Sequence, residues 1–166
     1  MKIIVDAFEY KIWADQRTVQ AVANVNKSAF SGSYKFFLQQ INHMIIVEDL
    51  FKARLTNQRT PHENTNTDIV PEFSVLTDRL SESGQWYLSY ASNLDKLNLE
   101  DFILFTFADG KPGSMSVAEI LFHIINHSSY HRGSIAHALD LTNVPHPVDG
   151  YGIYIHEKEP KRREQT

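Results

Sequence analysis

The segment from Ser33 to Leu55 constrains this chain most. Its apolar positions (Phe36, Phe37, Leu38, Ile41, Met44, Ile45, Val47, Leu50, Phe51 and Leu55) wrap well over half of a helical circumference. A helix so apolar around its girth must be central, with partners on several sides. Three partners are legible. Over residues 3–24, Val5, Phe8, Ile12, Val19 and Val22 fall within an arc of roughly 100° at the helical repeat. Tyr10 and Trp13 lie outside that arc and predict a second contact. A third helix is expected from near Pro71, a residue suited to a first turn, to about Leu94, despite Gly84. A fourth opens at Ser116, where "SVAE" supplies a capping box with Glu119, and runs to about Leu141.

Between the third and fourth helices, Phe102 to Phe107 has strand-like composition and "ADGKPG" is turn chemistry, so a short hairpin or irregular crossover is expected. After the fourth, Pro145, Pro147, Gly150 and Gly152 break the pattern; this stretch reads as a loop packed through Tyr151 and Tyr154. The expected fold is an all-α four-helix bundle, with residues 1–156 as one domain and 157–166 as a polar tail.

A chain of 166 residues with 42% hydrophobic and 22% charged residues needs no staple to form a core. It has no cysteine, so thiolate metal sites, disulfides and cysteine nucleophiles are excluded, and any metal must sit on nitrogen and oxygen. The formal charge of −4 argues against nucleic acid as a partner. Asp6 and Glu9 interrupt the N-terminus and no apolar run approaches the length of a membrane span, so a cytoplasmic location without membrane contact is expected.

Chemistry concentrates in "HIINHSSYHRG", residues 123–133, where His123, His127 and His131 recur every fourth position. Each step of four rotates a side chain by about 40° and raises it about 6 Å, so neighbours can share one ion while the outer two, about 12 Å apart, cannot. Val117, Ile120, Leu121, Ile124 and Ile135 mark the inward face. His131 lies about 30° from its centre, His127 about 70° and His123 about 110°. His127 and His131 are therefore the inward pair. Rings at the margin of a core face often only hydrogen-bond to backbone or water, and H-x-x-x-H without the glutamate of H-E-x-x-H is a modest signal. A third donor from the central helix strengthens it: His43 shares a stripe with Phe36, Val47 and Leu50 and, amid apolar neighbours, needs a partner. Three histidines from two helices would leave a coordination position open, as catalytic sites do. His62, His137, His146 and His156 read as solvated or locally bonded.

Three stretches carry a resemblance. "YKIWADQRTVQAV" is similar to a Y-x-x-W-A-N stretch, "NHMIIVEDLF" to an H-x-x-x-x-E/D segment, and "HIINHSSYHRGSI" to the H-x-x-N-H-x-x-x-H-R-G signature of the DinB/YfiT-like metalloenzymes. Order and spacing agree over roughly residues 5–155. The resemblance implies a four-helix bundle in which His43, His127 and His131 bind a divalent metal, zinc or nickel above others. Some members of the wider family are metal-dependent transferases that use low-molecular-weight thiols such as bacillithiol, mycothiol or glutathione. The expected function is thus transfer of a thiol to an electrophilic small molecule, with metal-dependent hydrolysis or a non-catalytic, stress-associated binding module as alternatives. Asp15, Tyr130 and Ser134 depart from the commoner residues of the family pattern.

Glu48, about 140° around the helix from His43, is not expected to join the ion; it reads as a buried general base or as the partner of an arginine such as Arg132, and the structural pairing is favoured. Tyr10, Trp13, Ala14 and Ala21 give the first helix a second apolar side, which predicts either a homodimer contact or cover by the C-terminal segment. There is no E-x-x-H, G-x-S-x-G or Walker loop, so di-iron, serine-hydrolase and P-loop chemistry have no foothold.

Overall fold

The computed structural model describes residues 2–93 and 98–164. Four long helices form the bundle: α1 (Lys2–Ala23), α2 (Ser31–Leu55), α3 (Phe73–Ser92) and α4 (Val117–Asp140). The packed neighbours are α1 with α3 and α4, and α2 with α3 and α4, so the helices stand at the corners of a square. α2 is the most heavily buried, as its wide apolar surface requires, although Phe36 turns outward and is 36% exposed. α3 begins at Phe73 rather than Pro71, and the expected end at Leu94 lies outside the described residues. Gly84 has a packing reason: a Cβ there would stand 3.0 Å from Ile12, so α1 and α3 approach closely at this turn. At the start of α4 the Ser116 side chain accepts from the Glu119 amide while Glu119 accepts from the Ser116 amide, closing the capping box.

The crossover is a hairpin of β1 (Phe102–Thr106) and β2 (Pro112–Ser116), antiparallel, with Ile103 opposite Met115. Gly110, at φ 83°, supplies the left-handed residue of its turn. Phe105 packs edge-on against Phe51, which lays the hairpin against α2.

The C-terminal stretch corrects expectation. Residues Tyr151–Lys158 form a helix, α5, not a loop. Gly150 provides no side-chain cap, and Gly152 lies inside, so local propensity disfavours it; burial of Tyr154 and Ile155 outweighs that cost. Tyr151 and Tyr154 do pack as foreseen, against Tyr10, Trp13 and Ala14. The second apolar side of α1 is thereby covered within the chain, and Lys158 pairs with Glu9 and Asp6 on the same helix. No helix among the described residues is long and apolar enough to cross a membrane.

The interior is layered along the bundle. One apolar cluster joins Val19, Val22, Phe37, Ile41, Leu76 and Ile135; another joins Phe8, Val47, Phe51, Tyr87, Ile120 and Ile124. Between them each helix contributes polar residues: Lys11 and Asp15, His43 and Glu48, Ser83, and His127 to Arg132. Both polar assemblies described below belong to this middle layer.

Candidate metal centre

α4 carries the two assemblies on adjacent faces. His127 and His131 meet His43 of α2, while Ser128 and Arg132, each one residue further on and so rotated by about 100°, turn to the centre of the bundle, Ser128 to Glu48 and Arg132 to Asp15 of α1.

On the first face three imidazoles converge. His127 Nε2 lies 3.2 Å from His43 Nε2 and 3.1 Å from His131 Nε2, and one nitrogen of each ring falls within 4.8 Å of the others. All three rings are half-buried. His43 Nδ1 donates to the Thr65 carbonyl at 2.8 Å, so its Nε2 is left with a lone pair. His131 Nδ1 sits 2.7 Å from Gln40 Oε1, an acceptor that sets the same tautomer. Two lone pairs thus face His127 Nε2, which can offer at most one proton. His127 Nδ1 is buried with no partner. Burial, then the neighbouring His131, His43 and other cations, pushes the His127 value down to about 3; burial and His43 push His131 down to about 4. Both rings are therefore neutral near pH 7, the form that ligates metal.

This donor set fits a divalent ion. Nitrogens each about 2.1 Å from one ion stand about 3.0–3.4 Å from each other, and the two contacts to His127 fall in that range. Without an ion, lone pairs outnumber protons in the cluster, an arrangement that a buried site otherwise avoids. The structure brings together the three histidines singled out from the sequence. It leaves His123 beside them, tilted between Phe51 and His127 at ring separations of 5.0 and 5.4 Å. Burial and then the Arg54 charge hold His123 below the usual histidine value. His62, His146 and His156 bond locally to Asp49, Asp140 and the Gly152 carbonyl, and Tyr130 is exposed.

A cavity of about 200 Å³ opens beside the cluster. It is lined by His43, His123 and His127, by the apolar Val47, Leu50 and Phe51, and by Arg54 with Phe107 and Ala108 of the hairpin turn.

The second face corrects the partner foreseen for Glu48. It pairs not with Arg132 but with Lys11, at 2.8 Å, and accepts from Ser83 and Ser128. Lys11, fully buried, also holds Asp15 at 2.7 Å. Arg132 reaches Asp15 at 2.9 Å and Asp149 at 2.7 Å, while Tyr10 donates to Asp149. Burial opposes both cations, yet the facing carboxylates outweigh it and raise the values of Lys11 and Arg132. Glu48 moves upward because burial outweighs the attraction of Lys11. The reason lies in geometry: Lys11 stands across the bundle from Glu48, whereas Arg132 faces Asp15 and the loop before α5.

Sequence reasoning missed Gln40, the Thr65 carbonyl and Lys11. Gln40, one turn before His43, interrupts an apolar helix and was a readable signal. Asp15 lies inside the apolar arc of α1, and Lys11 within about 20° of its edge. A backbone carbonyl in an irregular segment has no signal.

Fold and cluster together define a helical bundle with a three-histidine candidate metal centre in its polar middle layer. The sequence model of the DinB family matches residues 2–163, and the chain belongs to that family. It is 24% identical over 164 aligned residues to Protein DinB of Bacillus subtilis (strain 168), which covers 89% of this chain and 91% of that protein. No solved structure matches it significantly.

Proposed function

We propose that His43, His127 and His131 hold one divalent metal ion, zinc or nickel by donor type, and that the protein transfers a low-molecular-weight thiol to an electrophilic small molecule. The observation that carries the metal is the set of converging Nε2 atoms, two with tautomers fixed by Thr65 and Gln40. Bound there, the ion supplies Lewis acidity that lowers the pKa of a coordinated thiol. The chain's own contribution is positional. Two helices fix the three rings, and the outer hydrogen bonds of His43 and His131 keep their lone pairs directed at one point. Val47, Leu50, Phe51 and Phe107 give the adjacent cavity an apolar body suited to a small electrophile. Among the described residues no carboxylate lines this cavity, and a thiol acidified by the ion needs none.

The test has two stages. Elemental analysis of metal-loaded protein should find about one ion per chain, lost when any of the three rings is replaced. Cobalt-loaded protein titrated with glutathione, bacillithiol and mycothiol should develop a sulfur-to-metal charge-transfer band with at least one of them. Loading without that band for any thiol would remove the transferase reading and leave hydrolysis or plain binding.

A further inference from the structure

Arg54 projects from the last turn of α2 and lines the cavity beside the histidine cluster. Its guanidinium lies over the rings of Phe105 and Phe51, with centroids 4.1 and 4.7 Å away, and Nη2 donates to the Thr106 carbonyl at 3.1 Å. Those contacts account for its ring-facing surface and one nitrogen. The rest of the fork is unanswered: Nε is buried with no acceptor, and among the described residues no carboxylate pairs with the group. The two fully buried cations among the described residues are handled differently. Lys11 and Arg132 each hold two carboxylates. An arginine half withdrawn from water and left without a counter-charge costs stability unless something else supplies the anion. Nε has no surface that a ligand could reach, so a carboxylate, which accepts two parallel N–H bonds, meets the Nη1–Nη2 edge, where Nη1 makes no hydrogen bond to the described residues.

We infer that the cavity takes a small carboxylic acid with an apolar body, its carboxylate held by Arg54 and its opposite end directed toward the three histidines. This rests on the reading that substrate binds in that cavity, and it names the substrate class. The volume of about 200 Å³ admits a molecule of roughly ten non-hydrogen atoms, and the apolar Val47, Leu50 and Phe51 accept its hydrocarbon part. Arg54 is then the specificity-determining residue, selecting for charge at the end remote from the metal centre. The attachment of the guanidinium to Phe105 and Thr106 keeps it in place before any ligand arrives.

Calorimetric titration of the full-length protein with 3-phenylpropionate and its uncharged amide, 3-phenylpropanamide, tests this without requiring turnover or a thiol. The wild type should prefer the acid by about tenfold or more, with and without loaded metal. Arg54→Gln should bring the acid down to the level of the amide while leaving the amide unchanged, and Arg54→Lys should keep part of the preference. Melting curves identify any variant that has lost its fold, and Arg54→Lys then carries the comparison. An acid-to-amide ratio unaffected by Arg54→Gln, or a wild type that does not favour the acid, overturns the inference. Elemental analysis reads the metal centre separately, so an empty centre with an intact acid preference would sink the metal reading alone.

Discussion

Two faces of α4, one residue apart, solve opposite problems. Ser128 and Arg132 enter a network in which every charge has a counter-charge: Lys11 between Asp15 and Glu48, Arg132 between Asp15 and Asp149. His127 and His131 enter a cluster with more lone pairs than protons, an orphaned Nδ1, and a cavity alongside. The first group is complete within the chain and acts as structure, clamping α1, α2, α4 and the loop before α5 through the centre of the bundle. The second is incomplete within the chain, which is what a site for a ligand looks like. The network is buried and the three histidines half-buried, but the chemical difference lies in the satisfaction of their polar groups. The signature residues follow this division, since the tyrosine and aspartate of "YKIWAD" meet the arginine of "HRG" in the network while the histidine of "HRG" joins the metal-site cluster.

If this contrast holds, the largest effect should come from breaking the closed network. Lys11→Met leaves Glu48 and Asp15 without their shared cation and should cost roughly 3–5 kcal/mol of stability, read from denaturant melts. The double variant Lys11→Met with Glu48→Gln should recover part of that loss, because the penalty lies in the uncompensated charge. Metal content should be the less affected quantity in whatever fraction remains folded.

The open cluster should show the reverse pattern. His127→Ala should lower metal affinity by more than about a hundredfold while changing the melting midpoint of metal-free protein little or upward, since it removes an unsatisfied buried ring. A comparable loss of affinity in His123→Ala would mean that the wrong ring has been placed in the cluster. Gln40→Leu, which deletes the acceptor holding His131 in its tautomer, should cost roughly 10–100-fold in affinity with the fold intact, and wild-type affinity in that variant would show that the hydrogen bond orients nothing.

The smallest effect is on pH. The folded values of His127 and His131, about 3 and about 4, lie below the ordinary value of 6.5. The unfolded chain therefore takes up protons first as pH falls. Their contribution is fully present above about pH 6.5 and drains away between there and about pH 3–4, so metal-free protein should melt progressively lower across that window. Replacing both rings with glutamine should flatten that part of the profile, and an unchanged profile would assign the acid sensitivity to other groups.

Much of the architecture is legible in the sequence. The wide apolar surface of α2, the arcs of α1 and α4 and the "SVAE" cap are local patterns repeated over many turns, and such patterns report which face is buried wherever the chain goes. The same bookkeeping selected His127 and His131 over His123, because angle around a helix is a property of sequence spacing alone. Helix α5 is not legible, since a short segment preceded by one glycine and interrupted by another forms only when Tyr151 and Tyr154 have the side of α1 to cover.

What sequence alone determined is therefore the set of helices, the faces they bury and the kinds of donor available for a metal. What only tertiary structure decided is pairing. Glu48 took Lys11 and not Arg132, His131 took Gln40, His43 took a carbonyl at Thr65, and among the described residues no carboxylate met Arg54. A buried charge or ring can be recognised from its position in a helical pattern, but its partner depends on which helices stand side by side and at what height. Those are long-range quantities, fixed by how two apolar clusters pack above and below one polar layer.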